Sequence, residues 1–378
     1  MTILAGAVLT AGLAGCAAAK NSNVKVTGKN LTIYASIPTS GVADSTAQDV
    51  LAAERLAFQQ KQNEVSAFRL TLRTIVAGKL SDNGRTAIQD TKAIAYIGEI
   101  APSDSADSLG ITNAQDLLQV TPTDTAVELT QATPAVPGAP NRYYESMGSY
   151  GRTFARVVPT TAKEAQAQVQ EMQTLSVKRL YVADDGSPYG RAISRAVKQD
   201  ATMAGITIAA TRSGADGLFF GAQNVAAADK EFNSAAQGSP SLKLFGPSAL
   251  DRQSFASALS AAAHNVYISS PGFMPANLTA AGQKFVGDFV AAYHRTPGPQ
   301  AIFGYEAMAA VLDVIKQAGA SANNRSTVVS GFFAIKNRNS VLGTYSINSG
   351  GDTSLAPFVF SRLRGGQLVP STFVTVQG

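Results

Sequence analysis

The feature that most restricts the fold of this chain is a regular alternation of short apolar strands with longer stretches at helical spacing. The first strand runs from Leu31 to Ile37, ends at the turn Pro38-Thr39-Ser40-Gly41, and precedes a helical stripe that begins at Ala47. In the second half the buried strand Leu180–Ala183 precedes a helix that Gly205 ends. This alternation predicts parallel sheets wound right-handedly, with ligands at the carboxyl ends of the strands.

The remaining elements follow the same rule, and the length of 378 residues suits two lobes of ordinary domain size. Further strands are predicted at 68–72, 94–97, 206–210, 218–220, 242–245 and 266–269, and further helices at 165–172, 252–263, 280–293 and 300–318. Residues 131–151 are rich in proline and are predicted to form a long loop within the first lobe.

The N-terminus carries an apolar stretch, Ile3 to Leu13, which is too short to span a bilayer and matches the core of a secretory signal. Leu13-Ala14-Gly15-Cys16 resembles the bacterial lipobox, which predicts removal of residues 1–15, a lipid on Cys16, and a tether over 16–28. No Lys or Arg precedes the stretch, a departure that we expect a longer reading frame to explain. The open alternative is a buried helix with an incidental free thiol.

Cys16 is the one cysteine of the sequence, so an intramolecular disulfide and a cysteine-based zinc site are excluded. The net charge is +5, but the basic residues are scattered singly, which argues against nucleic-acid binding. The two histidines, His264 and His294, form no zinc motif, and Gly186–Gly190 has the wrong spacing for a nucleophile elbow. We therefore expect no enzyme, no metal and no cofactor.

Several short strings resemble, in the same order, those of type I periplasmic binding proteins of branched-chain amino acid ABC transporters, from about Leu31 to the C-terminus. The most specific is Leu180-Tyr181-Val182-Ala183-Asp184-Asp185 followed by Tyr189-Gly190. The others are Ser36–Gly41, Tyr96–Gly98, Thr121–Thr125 with Glu128–Thr130, Arg156–Pro159, Phe219–Gly221, Phe245–Pro247, Gly304–Ala307 and Leu342–Tyr345.

This resemblance implies an α/β fold with two Rossmann-like lobes whose parallel sheets are joined by a three-segment hinge. Lobe 1 would comprise 29–156 and 272–336, and lobe 2 would comprise 157–271 and 337–378. The hinge crossings would lie near Val158-Pro159, Ser270-Pro271 and Asn337–Val341. Closure of two such lobes on a ligand is a hinge motion.

The resemblance also implies a ligand site in the cleft, formed by Thr39, Ser103, Thr123, Asp124, Thr125, Asp185, Tyr189, Gln223 and Ser248. Three positions depart from the family pattern. Pro102 replaces a serine and has no N–H, Gln223 lies where an aromatic residue is common, and Ser248 lies where a glutamate usually binds the ligand ammonium. Asp124 or Asp185 could replace that glutamate, since an unpaired buried ammonium is costly.

The function expected from these features is an extracytoplasmic, lipid-anchored protein that binds an amino acid or a related small polar or carboxylate solute and delivers it to an ABC permease. Its partners would be the solute, the permease and, through Cys16, the membrane. The alternative is an envelope regulatory or interaction lipoprotein that keeps the fold without transport. An extracytoplasmic hydrolase is a third possibility, which no motif favours.

Overall fold

The structure, a computed structural model, describes residues 24–42 and 44–376; the predicted signal, Cys16 and much of the tether lie outside them. The strands are β1 (Asn30–Pro38), β2 (Arg69–Ala77), β3 (Ala93–Ile97), β4 (Leu118–Thr121), β5 (Phe154–Arg156), β6 (Arg179–Asp184), β7 (Thr207–Ile208), β8 (Gly217–Gly221), β9 (Lys243–Gly246), β10 (Val266–Pro271), β11 (Arg338–Ser340), β12 (Gly343–Tyr345), β13 (Pro357–Arg364) and β14 (Gln367–Thr375). The helices are α1 (Ser45–Lys61), α2 (Leu80–Gln89), α3 (Ala106–Asn113), α4 (Met147–Tyr150), α5 (Thr161–Thr174), α6 (Pro188–Met203), α7 (Val225–Gly238), α8 (Gln253–Ala258), α9 (Ala280–Tyr293), α10 (Ala301–Ala318) and α11 (Arg325–Phe333).

The first sheet has the strand order β2-β1-β3-β4-β5, and every neighbouring pair in it is parallel. Its central strands are buried along almost their whole length because helices cover both faces of the sheet, and β3 is apolar and buried at all five residues. The proline-rich segment 131–151 lies between β4 and β5, which are neighbours in this sheet. It is therefore a loop of the first lobe, as predicted.

The second sheet has the order β14-β13-β10-β9-β8-β6-β7. The strands from β6 to β10 are parallel to one another, whereas β13 and β14 add two antiparallel strands at one edge. Phe245 and Tyr267 stack on neighbouring strands with their ring centroids 5.2 Å apart. Two parallel-dominated sheets, each flanked by helices, confirm the predicted two-lobed α/β fold.

The chain passes between the two sheets three times: after β5, after β10, and before β13. After the second passage, α9, α10 and α11 contribute to the core of the first sheet. Phe273, which follows β10, stacks on Phe303 of α10 and on Phe373 of β14, with centroid distances of 6.3 and 6.1 Å. Aromatic packing thus joins the lobes beside the second passage.

The antiparallel ribbon of β11 and β12 packs on the core of the first sheet, to which Leu342 and Tyr345 belong. A partly buried ion pair reinforces this packing. Arg338 Nε donates to Glu306 Oε1 of α10 at 2.6 Å, and the Tyr345 hydroxyl donates to the same oxygen at 2.9 Å. The ribbon is consequently tied to α10 by both charge and apolar contact.

The helix predicted over 252–263 is wrong in its second half, because α8 ends at Ala258. Asn233 of α7 accounts for this end. Its Nδ2 donates to the Ala258 oxygen at 3.0 Å, and its Oδ1 accepts from the Ser260 amide at 2.7 Å. Because the capping side chain comes from another helix, the local sequence does not reveal where α8 stops.

Candidate functional site

The loops at the carboxyl ends of β1, β3 and β9 line a partly open cavity of about 110 Å³ between the two lobes. Pro38, Ala47, Ile100 and Pro102 give it an apolar wall on the side of the first lobe. Its charged groups are Asp44 and Asp104 from the first lobe and Asp251 and Arg252 from the second. A crevice at the carboxyl ends of parallel strands is where open α/β folds bind ligands.

In the first lobe, the buried carboxylate of Asp124 organises the loop after β3. It accepts hydrogen bonds from the backbone amides of Ser103 at 2.7 Å, Ser105 at 2.9 Å and Ala126 at 3.0 Å. Burial raises the pKa of Asp124, and the Arg156 charge and these amides oppose that rise. The geometry places Asp124 beneath the loop as a backbone acceptor.

The hydroxyls predicted for this lobe lie near the cavity, but they point elsewhere. Ser103 has a left-handed backbone, with φ 74°, and its Oγ donates to Glu128 Oε1 at 2.9 Å. Thr123 Oγ1 donates to the Ile100 oxygen at 2.5 Å. Thr125 is fully buried, and its Oγ1 has no hydrogen-bond partner among the described residues. Thr39 is exposed in the turn after β1.

In the second lobe, a buried carboxylate stands behind Ser248. Glu164 of α5 accepts the Ser248 amide at 2.6 Å and the Ser248 hydroxyl at 3.0 Å, and the Ser269 hydroxyl at 2.6 Å. Burial raises the pKa of Glu164 to about 7, against the effect of these three donors. Tyr189 is fully buried, with its hydroxyl 3.3 Å from Ser248 Oγ. A carboxylate therefore lies one layer behind the position where the resemblance leads us to expect a glutamate.

Asp185 joins two loops of the second lobe. Its Oδ1 accepts from the Ser187 amide at 3.0 Å, and its Oδ2 accepts from the amides of Gln223 and Asn224, both at 2.8 Å. These hydrogen bonds lower the pKa of Asp185 even though burial acts in the opposite direction. Gln223 Nε2 then reaches across the cleft and donates to the Pro102 oxygen of the first lobe at 3.1 Å.

Of the nine residues predicted for the site, the structure places Ser248 in the cavity wall. Thr39 and Ser103 are adjacent in the sequence to residues that line the cavity. The remaining six predicted residues lie in or beneath the surrounding loops. Sequence reasoning missed Asp44, Asp104, Asp251 and Arg252, which supply the charge of the cavity. Their position in the sequence could have identified them. Asp104 and the pair Asp251-Arg252 each follow the end of a strand that belongs to one of the strings resembling the family.

The environment raises the pKa values of two of these carboxyl groups, Asp104 and Asp251. Burial raises the pKa of Asp104 to about 7, the charge of Asp124 adds to the rise, and the charge of Arg252 opposes it. Burial likewise raises the pKa of Asp251, and repulsion from Asp44 in the opposite lobe contributes in the same direction. The cavity therefore holds carboxyl groups whose charge is poorly compensated by the protein.

Two further properties concern the described residues alone. Within 24–42 and 44–376, no group of three or more His, Cys, Asp or Glu side chains is arranged to hold a metal ion. Over the same residues, no helix combines the length and the apolar character needed to cross a bilayer.

The fold and the interlobe cavity define a two-lobed solute-binding protein. The sequence matches the model of the periplasmic binding protein family over residues 31–367, and the chain belongs to that family. Family membership implies a location outside the cytoplasm. No curated protein sequence matches the chain.

Solved structures of ABC transporter binding proteins share the fold. A leucine-binding protein, LivK, from Thermotoga maritima superposes with a TM-score of 0.75 and 18% identity, covering 91% of this chain and 99% of its own. The isoleucine complex of LivJ from Streptococcus pneumoniae gives 0.71 and 14%, covering 93% and 100%. A solute-binding protein from R. palustris in complex with benzoate gives 0.68 and 18%, covering 92% and 98%. At these identities the likeness establishes the fold.

Proposed function

We propose that this protein is the extracytoplasmic solute receptor of an ABC transporter, which binds a small molecule between its lobes and presents it to a permease without changing it chemically. The observation that carries the proposal is the cavity lined from both lobes by Asp104 and Arg252. A ligand that contacts both lobes stabilises the closed form relative to the open form, because only the closed form makes both sets of contacts. The permease would then recognise the closed form.

The lobes that move are proposed to be 29–156 with 272–336 and 157–271 with 337–378, with one change. The ribbon of β11 and β12 packs on the first core and pairs with Glu306, so we group residues 338–347 with lobe 1. The third crossing then falls between Ile347 and Pro357. The other two crossings stay near Val158-Pro159 and Ser270-Pro271.

The tether is proposed to begin at a lipid-modified Cys16, which lies outside the described residues. Mass spectrometry of the N-terminal peptide should find an acyl-bearing Cys16, and Cys16→Ser should move the protein from the membrane fraction to the soluble fraction. An unmodified, uncleaved Cys16 in the native host would remove the anchor from the proposal and leave the solute receptor standing.

Ligand-dependent stabilisation of the full chain tests receptor function. A ligand at one hundred times its Kd adds about 2.7 kcal/mol to the free energy of unfolding, so a broad panel of metabolites should contain compounds that raise the melting temperature. Ala101→Trp places an indole in the cavity wall and should abolish the effect. Ala226→Trp, on an exposed position of α7, should preserve it. Equal responses in both variants would show that binding occurs elsewhere.

One observation favours the second candidate, an envelope regulatory or interaction lipoprotein that keeps the fold without transport. The hydrogen bond from Gln223 to Pro102 joins the lobes directly, without a ligand between them. A protein that is fully closed in the absence of ligand, and whose melting temperature no member of the panel raises, would support this role over solute delivery.

A further inference from the structure

Three cations lie in a row on the exposed face of α6. Arg191, Arg195 and Lys198 stand singly in the sequence, but spacings of four and three residues place them on one face of the helix. All three residues are exposed, whereas the opposite face of α6 packs into the core of the second lobe. Asp200, the acidic residue of this helix, lies nine residues beyond Arg191 and therefore on the other side. We call the three cations the α6 stripe.

The α6 stripe lines a surface crevice of about 260 Å³, together with Val182 of β6 and Ala135 from the loop between β4 and β5. Asp184 supplies the carboxylate of the lining, and its Oδ1 already accepts the Gly186 amide at 2.9 Å. Three cations thus face one carboxylate. A water molecule occupies about 30 Å³, so the crevice has room for a phosphate group.

The described part of the chain leaves the charge of the α6 stripe uncompensated. No described carboxylate forms an ion pair with any of its three cations. Arg191 donates from Nη1 to the backbone oxygen of Gly186, which carries no charge. By contrast, Lys284 on the exposed face of α9 pairs with Asp288 one turn further along, at 2.7 Å. The stripe therefore attracts an anionic partner from outside the chain.

The extent of the α6 stripe favours a surface with many anionic groups over one small ion. At 1.5 Å per residue, the stripe extends about 10 Å along the helix axis. Met203, the last residue of α6, is 70% exposed, the largest exposed fraction among the large apolar side chains of the described residues. Basic residues attract anionic headgroups, and an apolar side chain on the same helix can enter the lipid interface.

We propose that the α6 stripe rests on a membrane surface that carries anionic phospholipids, with a headgroup phosphate in the crevice beside Ala135. Arg191 lies at the end of the stripe where β6 ends and the interlobe cleft begins. This contact would therefore hold the edge of the cleft close to the membrane in which an ABC permease lies. The inference goes beyond the proposed receptor function and depends neither on the solute nor on a lipid at Cys16.

The test is co-sedimentation with lipid vesicles of the full chain carrying Cys16→Ser, so that no lipid anchor contributes. Vesicles of pure phosphatidylcholine are compared with vesicles in which phosphatidylglycerol replaces about a third of the lipid. Binding is expected to the anionic vesicles, to be at least tenfold weaker with phosphatidylcholine, and to be lost at high salt, because salt screens exposed charges.

The triple variant Arg191→Gln, Arg195→Gln and Lys198→Gln should bind the anionic vesicles at least tenfold more weakly, since each basic residue near such a surface contributes to the attraction. The matched control changes three cations from other faces, which are also exposed and without ion pairs: Lys79→Gln, Lys92→Gln and Lys230→Gln. Each triple removes three positive charges from a net charge of +5, and the control should bind within twofold of the parent. Melting temperatures check that both triples fold.

Several outcomes would overturn the inference. Equal losses in the two triples would assign the binding to overall charge, and binding that survives high salt would assign it to apolar insertion. Binding of polyphosphate or polyglutamate without binding of vesicles would assign the stripe to a soluble partner. The thermal shifts caused by solutes should be the same in the stripe variant and the parent, so failure of membrane binding leaves receptor function standing.

Discussion

Gln223 of the second lobe donates a hydrogen bond from Nε2 to the backbone oxygen of Pro102 in the first lobe, at 3.1 Å. At both positions the resemblance led us to expect another residue, a serine instead of Pro102 and an aromatic residue instead of Gln223. The structure brings the two departures together across the cleft. Asp185 fixes the position of Gln223 by accepting its backbone amide at 2.8 Å. We expect this direct contact between the lobes to favour the closed form.

Replacing Gln223 by alanine should shift the unliganded protein toward the open form. One neutral hydrogen bond contributes about 1 kcal/mol, so the ratio of open to closed molecules should rise about fivefold. Spin labels at Thr86→Cys in the first lobe and Lys230→Cys in the second, on a Cys16→Ser background, report the distance between the lobes by pulsed electron resonance. Both labelled positions are exposed.

Gln199→Ala is the matched control, because Gln199 is exposed on α6 and its side chain crosses no cleft. It should leave the distance distribution of the wild type unchanged. If Gln223→Ala also leaves it unchanged, the hydrogen bond does not contribute to closure.

Arg156 is fully buried where the chain leaves the first sheet, and it ties that passage to the third one. Its Nε lies 3.0 Å from Asp352 Oδ1, and its Nη groups donate to the backbone oxygens of Asp124 at 2.7 Å and Ala126 at 2.8 Å. Arg156→Leu should lower the free energy of unfolding by about 3–5 kcal/mol, because it leaves the Asp352 carboxylate buried without its cation. Urea denaturation measures the loss.

Two comparisons sharpen this prediction. Arg85→Leu removes the arginine of a pair in which both side chains are more than half exposed, and it should cost about 0–1 kcal/mol. Arg156→Leu combined with Asp352→Leu should lose less than Arg156→Leu alone, since no charge is then left unpaired. A single variant as stable as the wild type would show that the ion pair has no structural role.

Gly190 allows α6 to begin close against β8. A Cβ at this position would lie 2.6 Å from the Gly221 oxygen, which is backbone and has little room to move. Gly190→Ala should therefore cost about 1–3 kcal/mol through overpacking and should displace the neighbouring Tyr189. Gly238→Ala is the control, because a Cβ there meets nothing within 4 Å, and it should change stability by less than about 0.5 kcal/mol. Thermal unfolding of both variants measures the difference, and equal melting temperatures would contradict the close approach.

The sequence was sufficient to predict the alternation of strands and helices, because buried strands such as β3 are continuous apolar runs whose carboxyl ends are marked by turns. The strands β4, β5, β13 and β14 were not predicted. It was less informative about side-chain direction. Ser103 follows the correct strand, but its left-handed backbone turns the hydroxyl toward Glu128, and the next residue, Asp104, faces the cavity instead. A change in direction over one residue depends on backbone angles that tertiary packing determines.

Burial of charge was equally difficult to predict. Arg156 lies within one of the family strings, yet its burial against Asp352 joins residues that are far apart in the sequence. Glu164 lies just before the predicted helix 165–172 and carried no prediction, and its role behind Ser248 depends on the contact of α5 with the end of β9. Judged by residue type alone, both an arginine and a glutamate are expected on the protein surface. Long-range packing is therefore the information that the sequence pattern lacked.

The pH dependence of the free energy of unfolding tests the effect of burying a charge at Glu99. Burial raises its pKa to about 7, although it accepts hydrogen bonds from the hydroxyls of Ser36, at 2.5 Å, and Tyr96. The folded state therefore binds a proton that the unfolded state releases above its ordinary pKa of 4.5. The stabilising contribution of the protonated Glu99 is complete below pH 4.5 and is lost as the pH rises to 7. At about 1.4 kcal/mol per pKa unit, the loss reaches about 3 kcal/mol.

The free energy of unfolding should thus fall between pH 5 and pH 8 in urea titrations, and Glu164, with a pKa also near 7, should steepen the fall. Glu99→Gln removes the titrating group while both hydroxyl partners can rotate to suit an amide, so the slope should decrease without loss of the fold. Glu145→Gln is the control for the charge change, because that side chain lies in the long loop between β4 and β5 and accepts no hydrogen bond from the described residues. A stability that rises from pH 5 to pH 8, or a slope that Glu99→Gln leaves unchanged, would mean that Glu99 is ionised in the folded protein.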